Sequence, residues 1–484
     1  MTHATPQSDS YRHVLKYTSM FGSVQGLNIL IGLVRNKAVA VLLGPMGMGL
    51  VSLLITSMNF IVQATSLGVS FSAVRHIAEQ HDKGDRRALE AYIGVVRQWS
   101  VVAALLGMVV CVAVGPLLNA LSFSWGDHTL HFMLLAPAVA MTAIGGGEMA
   151  ILKGTKRLRQ IATTQIVASA ASLVVTVPLY YFFNQKAIVP TITLMALATL
   201  APAMAASTSH YPYRLRLSRR SLAGSRPMLR LGIAFTVAAA FGSGSDMLTR
   251  ALLNKVADLD TVGLFNAAYV ITITYAGMVF SSMDSDYYPR LSAVNHDNRH
   301  VSDMVNRQME VSVLLVAPLL AALITLLPVI LPLLFSQAFT PIATMAQTTT
   351  LAMLIKAMSL PIAYINLAKG QWKPYLAFEA AYAIVFVAAV PLCFMGWGLT
   401  GAGWAIVAVH AIELLALAAY CHSRHGLRME PNTLKAIGAA APLLIAAYAS
   451  AMTTQGVAYW CLGATLSAML SAYSLCRLRR MRKA

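Results

Sequence analysis

The stretch YTSMFGSVQGLNILIGLVRNKAVAVLL, residues 17–43, decides the class of this chain. A bilayer-spanning helix needs about 20 apolar residues, and this run is long enough. Yet it keeps Arg35, Asn36 and Lys37 side by side. A cation at bilayer depth costs about 3 kcal/mol even on the most lenient insertion scale. Chains retain such groups where they face a wet cavity or an anion. The stretch therefore points to a membrane protein that handles something negatively charged.

Composition extends the reading to the whole chain. Of 484 residues, 57% are hydrophobic and only 11% charged, against about 25% charged in soluble domains. Apolar runs recur from end to end, and the alternating segments of about ten residues that a spanning barrel needs are missing. The first ten residues are polar and no small-residue cleavage site follows, so the first run reads as a retained span. Fourteen candidate spans lie near 17–43, 48–70, 92–117, 130–151, 161–183, 187–208, 231–254, 261–283, 310–335, 341–368, 374–395, 399–421, 434–453 and 456–476.

The loops test this count, because Lys and Arg accumulate on the cytoplasmic side. With the N-terminus inside, 29 of the 36 cations fall in inner segments. Lys186 and Lys255 fall outside, and Arg35, Lys37, Arg97, Arg250 and Lys356 lie within spans. A miscounted span would invert every later loop. Both termini are therefore expected in the cytoplasm. The net charge of +18 is spread over these inner segments, facing anionic lipid rather than nucleic acid.

A weak internal repeat divides the chain. Arg35 is followed by a turn and GLVSLL, Arg250 by a turn and GLFNAA. Arg75 opens RHIAEQHDKGD and Arg290 opens RLSAVNHDNRH, and both Arg pairs stand 215 residues apart. Six spans separate the paired elements, so the repeat is parallel. The expected fold is an all-α polytopic membrane protein of about 14 transmembrane helices. Two six-helix lobes are related by a parallel pseudo-two-fold axis, with two further C-terminal helices. Residues 1–208 form the N-lobe, 209–230 a basic cytoplasmic linker, 231–421 the C-lobe, and 422–484 the extra helices with a basic tail. Transporters built from repeats place substrate between them and rock around it.

At 100° per residue, Gln25, Asn28, Gly32, Arg35 and Asn36 share one sector of the first span, the pattern of a helix lining a cavity. Arg35 reads as an anion contact or as half of an ion pair. Lys37 points off the stripe and is placed to snorkel to the outer interface or to join the cavity. Asp246 and Arg250, four apart, either neutralise each other or hold the guanidinium poised for a stronger anion. Lys356 has no acid within a turn and is a second-lobe cavity candidate. Arg97 reads as snorkelling from the inner end of the third span. Glu148, Asp246, Glu379 and Glu413 are the intramembrane acids, each a pairing partner or a site of ion coupling. Gly145, Gly146 and Gly147 allow close packing or bending before Glu148. Arg75 and Arg290 begin mixed-charge inner turns that suit a cytoplasmic gate or a solvated loop.

The five cysteines imply no disulfide framework, and the Cys421, His422, His425 cluster reads as a helix end rather than a metal site. No nucleotide-binding loop, GxSxG or HExxH occurs, and no outer loop offers room for catalytic carboxylates. Neither an enzyme, a cofactor nor a metal is expected.

At these residues the chain resembles the polysaccharide flippases of the multidrug/oligosaccharidyl-lipid/polysaccharide exporter superfamily, above all the translocases of O-antigen and enterobacterial common antigen. The matching stretches are VRNKAVAVLLGPMGMGLVSLL at 34–54, LKGTKR at 152–157, YYPRLSAV at 287–294 and LLFSQAFTPIATMAQTTTLAMLIKAMSLPIAYINLAKGQ at 333–371. The resemblance implies a twelve-helix core with two added helices in the bacterial inner membrane. It implies transfer of an undecaprenyl-diphosphate-linked glycan to the periplasmic leaflet by alternating access, with membrane lipids, a glycan polymerase and a chain-length regulator as partners and no nucleic acid. Arg35, Arg250 and Lys356 stand where related flippases place diphosphate-binding cations. A peptidoglycan-precursor flippase and a multidrug cation antiporter are the alternatives. The antiporters carry an acid in the first span, where this chain has Arg35 and Lys37.

Overall fold

The computed structural model describes residues 6–123, 127–213 and 226–483, so most of the expected linker, 214–225, lies outside the described residues, as does the side chain of Gln25. Every regular element among the described residues is helical. Among these residues nine stretches are long and apolar enough to cross a membrane. Large apolar side chains such as Val109, Val174, Ile384, Leu392, Leu415 and Val457 point outward. In water such a surface would aggregate; here it is the face offered to lipid. This is an all-α, multi-pass membrane protein.

The chain forms two compact units, Met1–Met247 and Leu248–Ala484. The division lies inside the helix with which the expected C-lobe begins. The first unit holds α1 (Pro6–Thr65), α2 (Val69–Asp82), α3 (Arg86–Ser122), α4 (Thr129–Met133), α5 (Ala136–Gly154), α6 (Leu158–Phe183), α7 (Ile188–Thr208) and most of α8 (Arg226–Val256). α1 is two helices joined at Gly44, whose φ of 65° is open to glycine and strained for other residues. Pro45 then starts the second limb. α6 and α7 are likewise joined by a single 3-10 turn, Asn184–Ala187. Both breaks fall where the sequence places a turn between spans.

The second unit continues with α9 (Leu259–Tyr269), a π-helical stretch (Val270–Tyr275), α10 (Ala276–Ala293), α11 (Asn298–Leu334), α12 (Ala343–Ala368), α13 (Trp372–His425), α14 (Pro431–Thr453) and α15 (Gly456–Lys483). α13 folds back at Trp397 and Gly398, the latter with φ 58°. Gly401 lies so close to the Cys393 carbonyl that a Cβ would collide with it. α12 places Thr348, Thr349 and Thr350 in the interior, each hydroxyl donating to the carbonyl four residues back. That bond satisfies the hydroxyl without a partner helix. The two C-terminal helices pack on α11. Tyr459 donates to the Thr325 carbonyl at 2.9 Å, and Arg477 Nε donates to Glu310 Oε1 at 2.9 Å.

The repeat seen in sequence has a local counterpart. α3 and α11 are both 37 residues long. Each opens on an aspartate N-cap: Asp85 accepts from the Arg87 and Ala88 amides, Asp297 from those of Arg299 and His300. Such caps satisfy orphan amides and hold negative charge at the positive helix end. One polar turn thus launches the equivalent long helix in each half.

Candidate substrate-binding cations

In the first unit, the polar face of α1 packs towards α6. Ser169 donates to Asn28 Oδ1 at 2.8 Å. Arg35, two helical turns further along the face, lies within electrostatic reach of the Tyr180 hydroxyl, which α6 buries. Arg35, Asn36 and Lys37 are all half-buried. Near the end of this limb a cavity of about 620 Å³ is lined by Leu42, Leu43, Phe182, Phe183, Asn184, Gln185 and Lys186.

In the second unit, Arg250 on α8 is 4% exposed. Its Nη2 donates to Asn266 Oδ1 at 3.2 Å. The guanidinium lies over the Phe265 and Tyr269 rings, 5.8 and 5.1 Å from their centroids. Ring faces stabilise a cation without neutralising it. Two residues of the quoted GLFNAA segment, Phe265 and Asn266, therefore hold Arg250, together with Tyr269 one turn on. The repeat marked this segment, but its contact with Arg250 needs the fold. Asp246 lies one turn before Arg250 on the same helix.

Lys356 on α12 meets α13. It stands within electrostatic reach of Glu379 on the first limb and of His410 and Glu413 on the second. Tyr375 donates a hydrogen bond to Glu379. The fold at Gly398 brings these two limbs back along each other, which is why residues 31 and 34 positions apart meet one lysine. Sequence spacing gives no hint of this. His410 was missed, although its place three residues before Glu413 puts both on one face.

Two further residues singled out in sequence, Arg97 and Glu148, meet elsewhere in the first unit. Arg97 does not snorkel: it is 2% exposed and donates to both oxygens of Glu148, at 2.9 and 3.1 Å. It also donates to the Tyr211 and Pro212 carbonyls, each at 3.0 Å, and lies 4.8 Å from the Tyr213 ring centroid. Ser207 donates to Glu148 as well. Charges this deep require a paired, fully hydrogen-bonded partner, and Arg97 reaches inward to one because α5 presents Glu148 beside it. Glu148 is ion-paired with Arg97 in this structure. Gly147 abuts Ser100 on α3, where a Cβ would collide, so this glycine serves close packing.

On the polar turns, Arg75 donates to Glu79 at 2.9 Å along its own helix, and this contact holds the Glu79 carboxyl below its ordinary value. Arg290 is exposed. The C-H-x-x-H segment forms the C-terminus of α13. The Gly426 amide donates to the His422 carbonyl and the Leu427 amide to that of Cys421, the paired bonds of a glycine-terminated helix. His422 Nδ1 lies 2.8 Å from the Leu427 carbonyl.

Paired breaks, long capped helices and cations set into apolar helices make up a multi-pass helical membrane fold. The chain belongs to the polysaccharide biosynthesis protein family, whose model matches residues 14–295. The fold is similar to an inward-facing multidrug resistance MATE family transporter of the MOP superfamily, at TM-score 0.67 and 15% identity over 82% of this chain and 94% of that one. It is similar to the lipid II flippase MurJ in an inward closed conformation, at TM-score 0.67 and 12% identity over 96% and 99% of the two chains. A superfamily transporter from Pyrococcus furiosus, described as having a binding pocket of reverse polarity, aligns at TM-score 0.61 and 12% identity over 85% and 96%. No curated protein matches the sequence.

Proposed function

We propose that this protein flips an undecaprenyl-diphosphate-linked oligosaccharide, of the O-antigen repeat-unit kind, from the cytoplasmic to the periplasmic leaflet of a bacterial inner membrane. Fourteen crossings with both termini in the cytoplasm, and lobes that alternate access, belong to the same proposal. The observation that carries it is Arg250, buried on the helix read in sequence as the seventh span, with an amide oxygen and two ring faces against its guanidinium. That cradle orients a guanidinium for a phosphate, which it meets through paired charge-assisted hydrogen bonds. Arg35, Asn28, Gln25 and Lys37 supply contacts from the first unit, and Lys356 assists from the second. Arg75 and Arg290 gate the cytoplasmic side. No step makes or breaks a bond, so the chain acts as a carrier and not as an enzyme. A glycan polymerase and chain-length regulator then use the product.

Deletion of the protein should accumulate lipid-linked repeat units on the cytoplasmic leaflet while their synthesis continues. Normal surface glycan in the deletion strain would refute the assignment. A lipid-linked peptidoglycan precursor is the second candidate cargo, favoured by the 96% coverage of this chain by the MurJ fold against 82–85% for the transporters. Restoring growth to a strain depleted of its peptidoglycan-precursor flippase would select that cargo. Drug export is disfavoured by the cations in the first span.

A further inference from the structure

A second site lies at the basic end of the first unit, at the opposite end of α6 from Arg35. A cavity of about 460 Å³ opens between the end of α2, the start of α3, the start of α6 and the segment after α7. Its charged and aromatic wall is His81, Asp85, Arg86, Arg157, His210 and Tyr211, with Leu89 beside them. The size falls within the range of about 300–1,000 Å³ typical of small-ligand pockets.

The charge balance there is cationic. Between Gln80 and Glu90 and between Lys153 and Gln160 the chain carries seven Lys and Arg against three acids. Those acids are engaged. Asp82 binds Lys156, Glu90 binds Arg86, and Asp85 caps α3 through the Arg87 and Ala88 amides. Arg157 is half-buried and is itself the N-cap of α6, whose first turn receives no side-chain cap. The positive end of a 26-residue helix therefore adds to the guanidinium. The opposite wall is held in place: Gln160 contacts the His210 ring at 3.3 Å, and Arg97 binds the Tyr211 carbonyl from within.

Position selects the ligand. The cavity sits where α3 begins and α5 and α7 end, so it opens at the level where apolar span gives way to basic loop. Basic pockets between span ends at that level suit anionic headgroups. We infer that this cavity binds the phosphate of an anionic phospholipid headgroup, between Arg157 and Arg86. Acyl chains remain in the bilayer. The bound lipid would fasten the 209–211 segment, and through it the start of the linker, to α2 and α6. The inference does not depend on which cargo the protein moves.

Native mass spectrometry of the purified full chain tests it with phosphatidylglycerol, phosphatidylcholine and inorganic phosphate as separate probes. Wild type should retain phosphatidylglycerol selectively. R86Q/R157Q should weaken that adduct about tenfold, as loss of two charge-assisted phosphate contacts predicts. R479Q/R480Q removes as much charge from the C-terminal tail and should leave it unchanged. Equal loss in both variants, no loss in either, or equal retention of phosphatidylcholine would overturn the site. Binding of inorganic phosphate with no lipid adduct would reassign it to a free anion. Should R86Q/R157Q fail to fold, a photoreactive phosphatidylglycerol headgroup on wild type decides: labels on 80–89 and 209–211 support the site, and labels confined elsewhere overturn it.

Discussion

Arg97 and Glu148, 51 residues apart, form a two-point ion pair with less than 3% of either side chain exposed. α3 and α5 are joined by it, and the start of the linker is tied to both through the Tyr211 and Pro212 carbonyls. Removing one partner leaves a buried charge alone, which costs about 3–5 kcal/mol. E148Q and R97M should each lower the melting temperature in detergent and reduce the folded yield. R97M/E148L, which removes both charges, should recover most of that loss. Single variants as stable as wild type would show that the pair holds nothing together.

Arg250 should matter to transport rather than to insertion. Truncating a charge that meets phosphate in a buried site costs about 2–5 kcal/mol, or at least about thirty-fold in affinity. R250A should therefore stop glycan export with normal membrane levels on immunoblot. R250K keeps the charge but loses the planar group that lies over Phe265 and Tyr269, and should fall between. Export at wild-type level from R250A would remove Arg250 from the site.

Gly68 and Gly232 cross with backbones in direct contact, and a Cβ on Gly68 would strike the Gly232 carbonyl. Gly68 also has φ 61°, which L side chains avoid. Gly84 shares the positive φ, at 74°, but has open space around it. G84A should cost only the backbone penalty of about 1–2 kcal/mol. G68A should cost clearly more and abolish function. Comparing the two melting temperatures and export rates checks this; equal effects would mean the crossing is not tight.

Asp82 and Lys156 join α2 to the α5–α6 turn at 2.6 Å in full solvent. The lysine hydrogen bond holds the Asp82 carboxyl below its ordinary value. A depressed carboxylate contributes stability above its unfolded value and loses it as pH falls through the folded one. Wild type should therefore melt slightly above D82N at neutral pH, and the gap should close as the pH is taken below the ordinary aspartate range. A gap that widens in acid would contradict the assigned pairing. Exposure limits the size of this effect.

Much of this was readable in the chain because membrane sequences are written in length and charge. Apolar runs, the turns at Gly44 and Gly398, and the cations Arg35, Arg250 and Lys356 stand out against lipid-facing residues. Partners do not stand out. By position alone Arg97 reads as an interfacial residue; its partner Glu148 is brought to it by the packing of α5 on α3. Asn266 and His410 are ordinary residues in sequence and gain meaning only from helices that pack together. The hairpin of α13 carries two acids to Lys356 across a gap that no periodicity reports.

The central claim is that guanidinium groups at membrane depth grip a lipid-linked diphosphate during its passage. The most direct measurement is the leaflet distribution of lipid-linked repeat units in cells carrying R35A or R250A, read with a membrane-impermeant glycan-cleaving probe on intact spheroplasts. The account predicts repeat units trapped on the cytoplasmic side in both variants, with each protein inserted at normal level. Repeat units reaching the outer leaflet at the wild-type rate in both variants would contradict it.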